Sequence, residues 1–362
     1  MKLHCLTRYD DTGASSRVRF EQYRSPLTQL LPDWQIQRQS LLDGRYLEHK
    51  YAGESIAIDV LRCYAARARA LAATGQGGIW WLEKELWPWA PAWLERRLLT
   101  RQPFIIDLDD AIFHNYDLNG SAAVRALYGH KIDRLMASAT LVTAGNDYLA
   151  QRARAAGGRW VEVLPTVIDL DHYPDPAANP AAGETDGVLR IGWIGSPTTT
   201  RYLAAIAPAL RQLAGERRIR LVAIGAAALE MPGVDVELLP WDQRAEAEML
   251  RRCDIGVMPL ADTPWARGKC GYKLIQYMAC GLPVVASPVG ANRQIVSDGR
   301  DGFLADGDTA WHAALARLCD DAVLRRQLGA AGRHKVETTY CYQVTSPRLA
   351  GWLNDIAHEQ RA

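Results

Sequence analysis

Short apolar runs alternate along the chain with longer segments whose apolar positions recur every three or four residues. The runs LHCL (3–6), PFIID (103–107) and TLVTAG (140–145) are examples of the first kind. Short runs without polar alternation are typical of strands buried on both faces of a parallel sheet, and the longer period is typical of helices. The alternation therefore predicts an α/β protein with mostly parallel sheets and helices on both sheet faces.

The alternation stops at YPDPAANPAAGETDG (173–187) and restarts with VLRIGWIG (188–195). A stretch rich in Pro, Ala and Gly without periodicity is typical of a linker. A chain of 362 residues also exceeds the usual size of one core. We therefore predict two Rossmann-like domains that face a cleft, the first over 1–173 and the second over 188–340, joined by a linker over 174–187.

Composition narrows the class of protein. The net charge of +1 gives no basic balance of the kind a nucleic-acid binder carries, so nucleic acid is not expected as a partner. No apolar run approaches the roughly 18–20 residues that span a bilayer, and the start MKLHCLTRY does not resemble a signal peptide. Seven cysteines without CxxC pairs indicate reduced thiols. We expect a cytoplasmic protein.

The segment RGKCGYKLIQYMACGLPVVASPVG (267–290) combines a glycine-lysine pair, two cysteines and a short apolar run. It lacks the spacing of a phosphate-binding Walker A loop, and its cysteines lack the spacing of a zinc site. Gly271 permits a tight turn before a helix that starts near Tyr272, and helix N-termini bind anions. Lys273 in the first turn would then share the anion. The alternative is a surface lysine on an ordinary helix.

Several segments in fixed order resemble a known family. CDIGVMPL (253–260), YMACGLPVVASPVG (277–290) and NRQIVSDGRDGFL (292–304) are similar to the donor-binding half of the group 1 GT-B nucleotide-sugar glycosyltransferases. VEVLPTVIDLDHYP (161–174) and LTRYDDTGASSR (6–17) resemble the family's segment before the linker and its first glycine-containing loop.

The resemblance implies a GT-B fold with an N-terminal acceptor domain, a C-terminal donor domain and a final helix, 341–362, that packs back on the first domain. It implies transfer of a sugar from a nucleotide diphosphate donor, most simply a UDP- or GDP-sugar, to an acceptor hydroxyl in cell-surface glycan synthesis. The family is predominantly retaining and needs no metal or other cofactor. A glycan or lipid-linked acceptor would bring the chain to the inner face of the membrane as a peripheral protein.

The chain departs from the family at its two motif glutamates, which fall on Gly268 and Gln276. Gln276 can still hydrogen-bond ribose hydroxyls, whereas Gly268 cannot replace a carboxylate. The usual Arg/Lys pair after the first strand of the donor domain is also absent, so we assign the diphosphate charge to Lys273. The expected donor-binding residues of this half are Gly195, Ser196, Thr198, Trp241, Arg267, Lys269, Gly271, Tyr272, Lys273 and Gln276.

The run IIDLDDAIFH (105–114) places three aspartates and a histidine just after a strand. Asp107 and Asp109 imitate the Asp-x-Asp metal motif of GT-A transferases, which is the rival interpretation. We instead expect Asp110 or His114 to contact the transferred sugar or to act as general base on the acceptor hydroxyl, with Lys273 as the third catalytic residue. The alternative is a pair of helix-capping aspartates beside a surface histidine.

The loop DTGASSRVR (11–19) supplies the remaining expected contacts. Gly13 would present amides to the donor phosphate, while Ser15, Arg17 and Arg19 would hold an anionic acceptor such as a lipid-linked diphosphate. A solvated basic helix face is the alternative. The tryptophan-rich segment WWLEKELWPWAPAW (80–93) has three possible roles: part of the core, a contact to the acceptor or the membrane, or an oligomer interface.

The sequence is also compatible with two other functions. A non-hydrolysing nucleotide-sugar epimerase would share the fold and the donor pocket. A non-catalytic sugar-nucleotide-binding or scaffold protein would explain the missing glutamate directly.

Overall fold

The computed structural model describes residues 1–11, 13–73, 77–176 and 186–360. Most of the expected linker falls on 177–185, outside the described residues. The chain divides into two compact units, of which the first comprises Met1–Thr166, Gly268–Cys270 and Thr345–Ala362 and the second Val167–Arg267 and Gly271–Val344. The domain boundaries at 173 and 188 stay a prediction.

The first unit is built on a six-stranded parallel sheet in the order β2-β1-β3-β4-β5-β6. Its strands are β1 (Lys2–Tyr9), β2 (Gln35–Leu42), β3 (Ile79–Glu83), β4 (Phe104–Leu108), β5 (Leu141–Ala144) and β6 (Val161–Val163). Both β3 and β4 are buried along their whole length. The continuous apolar runs that predicted them follow from that burial on both sheet faces.

Helices connect these strands, and the first of them is irregular. The segment after β1 passes through a π-helical turn at Arg17–Glu21 between two α-helical pieces. The helices are α1 (Ala14–Ser16), α2 (Gln22–Leu30), α3 (Gly44–Tyr51), α4 (Ala57–Ala73), α5 (Ala92–Leu99), α6 (His114–Asp117), α7 (Ala122–Tyr128), α8 (Lys131–Met136) and α9 (Asp147–Ala155).

The second unit has a six-stranded parallel sheet in the order β12-β11-β10-β7-β8-β9. Its strands are β7 (Leu189–Ile194), β8 (Ile219–Ile224), β9 (Asp235–Leu239), β10 (Ile255–Met258), β11 (Val284–Ala286) and β12 (Gly302–Leu304). Its helices are α10 (Ala207–Glu216), α11 (Glu246–Arg251), α12 (Pro264–Arg267), α13 (Tyr272–Ala279), α14 (Asn292–Ile295), α15 (Gly307–Asp320) and α16 (Ala322–Thr339), with 3₁₀-helices at Leu170–His172 and Pro197–Ile206.

Two buried apolar clusters cover the two faces of this second sheet. One contains Leu274 of α13 and Val336 of α16. The other contains Leu210 of α10 and Trp311 of α15. Helices on both faces of a parallel sheet are what the alternating pattern predicted, and the predicted α/β class with two Rossmann-like sheets is confirmed.

The last helix, α17 (Tyr342–Glu359), belongs to the first unit from Thr345 onward. The hydroxyls of Tyr23 and Thr345 lie 2.7 Å apart in the buried interior of that unit. Arg348 also donates to the carbonyl of Val163 at 3.3 Å. The C-terminal residues therefore complete the core of the first unit.

Candidate functional site

In the second unit the strand order changes direction between β7 and β10. The chain runs from β7 outward through β8 to β9, and from β10 outward through β11 to β12. Ligands of doubly wound sheets bind beyond the carboxyl ends of the strands at such a switch point. Gly195 and Ser196 follow β7 directly, so these two residues lie at the expected ligand edge.

Lys273 reaches this edge from the first turn of α13. Its helix begins after Gly271, which has a φ of +67° that glycine adopts without strain, as the sequence predicted. The Lys273 ammonium lies 4.0 Å from the centroid of the Trp193 ring and 3.4 Å from the Thr199 hydroxyl oxygen. A cation–π contact and a hydroxyl thus hold the positive charge near the end of β7.

The backbone at Gly195 approaches this group closely. A Cβ atom added there would collide with the Lys273 ammonium and lie 2.6 Å from Trp193 and 2.7 Å from Thr199. Just beyond it, the exposed hydroxyls of Ser196 and Thr198 lie 3.0 Å apart. The structure therefore brings together Gly195, Ser196, Thr198 and Lys273, four of the expected donor-binding residues.

A second polar chain supports Trp241, whose indole is partly exposed. Its Nε1–H donates to Glu246 at 2.9 Å, and the other Glu246 oxygen accepts from the Tyr173 hydroxyl at 2.7 Å. The Gln276 amide donates to the same Tyr173 hydroxyl at 3.2 Å. An added Cβ at Gly225, after β8, would lie 3.0 Å from the Trp241 Cβ, which places Trp241 at the carboxyl end of β8, the strand next to β7.

Sequence reasoning missed the role of Glu246 and Tyr173 in this chain. Both are buried, and burial raises the pKa of the Tyr173 phenol well above its usual value. An acid five residues after a tryptophan is the only sequence signal for the pairing, and it does not reveal the partner Tyr173. Gln276 is also buried, and its ribose contact stays a prediction.

The other expected donor residues have different surroundings. Arg267 makes a two-pronged ion pair with Asp262 at 2.7 and 3.0 Å, so its charge is shared with that carboxylate. Lys269 belongs to the first unit, where its ammonium lies 4.0 Å from Asp110. Tyr272 is half-buried at the start of α13.

The first unit has its own switch point, between β1 and β3. β1 lies between β2 and β3, and the chain continues from β3 through β4, β5 and β6. Lys84, the residue directly after β3, is buried and has a φ of +66°, a left-handed conformation that costs free energy for a side chain with a Cβ.

Lys84 is the centre of a polar cluster at this edge. Its ammonium lies 2.8 Å from an Asp109 carboxylate oxygen and 3.4 Å from the Ser15 hydroxyl. Lys84 holds the pKa of Asp109 below its usual range, whereas burial and the negative charge of Asp109 raise the pKa of Asp110. Asp110 therefore binds its proton more tightly than an ordinary aspartate does, and its side chain is 29% exposed.

One expected contact needs correction. Arg19 is completely buried, donates to both Asp107 oxygens at 2.6 and 2.9 Å and donates to the carbonyl of Leu164. All three guanidinium nitrogens have internal partners, so Arg19 does not hold an acceptor. It pins the helical segment after β1 to the end of β4 instead.

His114 is also held by neighbouring side chains. Its Nδ1 lies 2.8 Å from Asp117 and its Nε2 lies 2.8 Å from the Tyr148 hydroxyl. Both ring nitrogens therefore have partners within the first unit, and the general-base role expected for His114 stays a prediction. Asp110, the other expected candidate, has a partly exposed carboxyl group.

The loop after β1 also carries Gly13, Ser15 and Arg17, which were expected to contact the donor or the acceptor. Gly13 precedes α1 and is half-buried, and its amide donates to the Asp10 carbonyl at 3.1 Å. Ser15 joins the Lys84 cluster, and Arg17 is half-exposed in the π-helical turn.

Asp107 and Asp109 each have an internal cation. Arg19 pairs with Asp107, which also accepts from the Thr143 hydroxyl at 2.6 Å, and Lys84 pairs with Asp109. Within residues 1–11, 13–73, 77–176 and 186–360, no group of three or more His, Cys, Asp or Glu side chains is placed to hold a metal ion.

The space that a side chain at position 268 would need is occupied by neighbouring residues. A Cβ added to Gly268 would collide with the Cβ of Ala111 and lie 2.7 Å from its amide nitrogen. The next residues are also closely packed, since the Cys270 thiol lies 3.0 Å from the Asp109 carbonyl oxygen and Asn146 donates to the Lys269 carbonyl. This backbone leaves no space for a side chain at 268.

Comparisons with known proteins agree with this architecture. Residues 188–321 match the family model described as glycosyl transferases group 1. The D-inositol 3-phosphate glycosyltransferase of Stackebrandtia nassauensis is 30% identical over 228 residues, which cover 56% of this chain and 50% of that protein. This chain thus spans about half the length of the curated relatives it matches.

Solved structures match nearly the whole chain. Anabaena Alr3699/HepE in complex with UDP gives a TM-score of 0.69 at 15% identity and covers 98% of this chain and 100% of its own. It is also known in complex with UDP-glucose. Sucrose-phosphate synthase from Thermosynechococcus elongatus gives a TM-score of 0.68 at 14% identity, covering 99% and 100%.

The two parallel sheets and these neighbours define a protein of the GT-B fold. Residues 188–321 match the model of the group 1 glycosyltransferases, the family that the sequence resemblance indicated. Among the described residues, no helix is both long and apolar enough to cross a membrane.

Proposed function

We propose that this protein transfers a sugar from a nucleoside diphosphate donor to the hydroxyl of an acceptor. The observation that carries the proposal is the Lys273 ammonium, held over Trp193 at the carboxyl edge of β7 in a group 1 domain. A fixed positive charge at a switch point is suited to stabilising the diphosphate that leaves when the sugar bond breaks.

The donor site that we propose has two parts. Lys273, the hydroxyls of Ser196 and Thr198, and the amides at the start of α13 hold the diphosphate. The indole of Trp241 stacks on the base, because its hydrogen bond to Glu246 fixes the ring plane beside β7 and β8. UDP is the favoured nucleotide, since HepE is known with UDP and UDP-glucose, and GDP is the alternative.

In the first unit Asp110 is the proposed polar or basic contact to the reacting sugar. Its raised pKa brings it closer to the working range of a general base than an ordinary aspartate. The acceptor that we propose is a growing cell-surface glycan or a lipid-linked sugar, which places the protein at the inner face of the membrane. Retention of configuration and independence from metals and cofactors are part of the same proposal.

A binding protein without transfer activity is the second candidate. It is favoured by Gly268, where the backbone lies too close to Ala111 to admit a carboxylate-bearing side chain. An epimerase lacks a comparable observation in its favour.

The test begins with thermal unfolding of the protein in the presence of UDP, GDP, CDP or thymidine diphosphate. At equal concentrations, the nucleotide that binds most tightly should raise the unfolding temperature most. The protein is then incubated with the matching nucleotide sugars and with glycan acceptors. Release of free nucleotide diphosphate only when acceptor is present supports transfer. If the nucleotide sugar binds but is not turned over with any acceptor, the result would instead support a binding protein without transfer activity.

A further inference from the structure

The first unit displays large apolar side chains on one part of its surface. Trp89, Trp93 and Leu127 are exposed by 52%, 66% and 71%, and Leu94 is exposed beside Trp93. The Trp89 ring lies edge-on to Tyr128, the residue after Leu127, with ring centroids 6.0 Å apart. The segment after β3 and the end of α7 therefore adjoin. We call Trp89, Trp93, Leu94 and Leu127 the tryptophan face.

A buried ionic network fixes the backbone beneath this face. The Lys131 ammonium lies 2.7 Å from Glu85 and 2.8 Å from Glu95, and it donates to the Trp87 carbonyl at 2.7 Å. Glu95 also accepts the Leu86 amide at 2.8 Å. Since these groups are buried and mutually paired, the segment that carries Trp89 is a rigid part of the fold.

Trp89 itself is held in an unfavourable backbone conformation. Its φ is +64°, in the left-handed region that bulky side chains rarely adopt. Its amide donates to the Tyr116 hydroxyl at 3.2 Å, and that hydroxyl donates to Glu85 at 2.8 Å. The fold therefore supports the strain through buried contacts while the indole remains exposed.

The exposed charged side chains in the two segments that carry the tryptophan face have one sign. In the segments 86–101 and 118–130, all of which are described, the exposed charged side chains are arginines, and no acidic side chain is exposed. Glu95, the one acid in these segments, is buried against Lys131. The exposed arginines are Arg96, Arg97, Arg101 and Arg125.

We propose that the tryptophan face docks on an anionic lipid bilayer. Tryptophans prefer the interfacial region of membranes, and arginines around them add attraction to anionic headgroups. A second copy of the chain fits this surface less well, because a twofold contact would bring arginines against arginines with no exposed acid between them. Membrane docking goes beyond the proposed reaction. It rests on the proposed function in one respect, because a lipid-linked acceptor would lie in the membrane.

The experiment is co-sedimentation with lipid vesicles. The wild-type protein should sediment with phosphatidylglycerol/phosphatidylcholine vesicles at low salt, much less at high salt, and little with phosphatidylcholine alone. The double variant Trp89→Ser/Trp93→Ser should lose at least tenfold in vesicle affinity, and so should Arg97→Glu/Arg101→Glu. The control is Leu30→Ser, which removes an exposed leucine of the same unit outside the face and should bind as wild type does.

A wild-type protein that stays in solution with the anionic vesicles would overturn the proposal. A tryptophan double variant that sediments with the vesicles as wild type does would also overturn it. The same holds if the wild-type protein self-associates, the double variant does not, and neither protein binds vesicles. The unfolding temperature and its rise with UDP are measured on every variant. Both should be retained in the tryptophan double variant, so failure of docking is distinguishable from failure of the proposed function.

Discussion

The ammonium of Lys273 lies 4.0 Å from the centroid of the Trp193 ring, at the carboxyl end of β7. A lysine in the first turn of a helix is unfavourable against the helix dipole. Here it is held by an aromatic face and by the Thr199 hydroxyl at 3.4 Å. An anion bound between the lysine and the amides of α13 would make the arrangement favourable.

Replacement of Lys273 by alanine should weaken UDP binding. A hydrogen bond to a charged group contributes about 1.5–3 kcal/mol, which corresponds to roughly a 10–150-fold rise in Kd. Isothermal titration calorimetry measures it directly. Arg300→Ala is the control, since it removes one exposed positive charge from the same unit outside the site. A folded Lys273→Ala protein that binds UDP as tightly as wild type would refute the phosphate role.

Gly195→Ala should disturb the same site by steric contact. The added Cβ would collide with Lys273 and lie 2.6 Å from Trp193, and overpacking of this kind costs about 1–3 kcal/mol. We expect a lower unfolding temperature and a higher Kd for UDP. Urea unfolding and calorimetry measure the two effects.

The matched control for Gly195→Ala is Gly215→Ala. Gly215 lies in α10, and an added Cβ there meets nothing within 4 Å. Alanine is the better helix former by about 1 kcal/mol, so this variant should be as stable as wild type or more so. Equal behaviour of the two alanine variants would contradict the close approach at Gly195.

The sequence predicts this half well because its signals are local. The turn at Gly271, the start of α13 at Tyr272 and the buried strand β11 depend on neighbouring residues, and all three are found. The contact between Lys273 and Trp193 joins residues 80 positions apart and could not be read from any local pattern. The same applies to Tyr173 and Glu246, which meet through tertiary packing.

The first unit was harder to predict. β2 has polar and half-buried positions because it lies at the sheet edge, so QIQRQSLL gives no apolar run. Arg19 and His114 are candidate site residues from sequence because they follow strands β1 and β4, but each already has a partner distant in sequence, Asp107 for Arg19 and Tyr148 for His114. The sequence shows which residue types lie near the carboxyl edge of the sheet. It does not show which of them already form hydrogen bonds or ion pairs within the fold.

Glu246→Gln should loosen Trp241 and weaken nucleotide binding. Both Glu246 oxygens accept, from Trp241 at 2.9 Å and from Tyr173 at 2.7 Å, and the amide group of glutamine would turn a donor toward one of them. We expect a several-fold higher Kd for UDP with little change in that for pyrophosphate, measured by calorimetry. Glu248→Gln on the same helix, where the side chain is exposed, is the control. An equal loss of affinity for UDP and for pyrophosphate would show that Glu246 does not act through contact of Trp241 with the nucleotide base.

Asp110→Asn should abolish most transfer yet stabilise the protein at neutral pH. Burial and Asp109 raise the pKa of Asp110 in the folded state. A raised carboxyl pKa contributes stability at low pH that is lost as the pH rises from the ordinary value of about 4 through the folded value. Because asparagine carries no charge at any pH, the variant should unfold at a higher temperature than wild type near pH 7 and lose that advantage near pH 4.

The pH dependence of activity tests the role of the same group. If Asp110 is the general base, kcat/KM of the wild-type protein should rise with pH as Asp110 loses its proton. Lys84→Met removes the nearby positive charge that lowers the Asp110 pKa, so the rise should move to higher pH. The control is Asp355→Asn on α17, where the side chain is exposed, and its profile should match wild type. A wild-type profile without this limb, or an Asp110→Asn protein with full activity, would exclude Asp110 as the base.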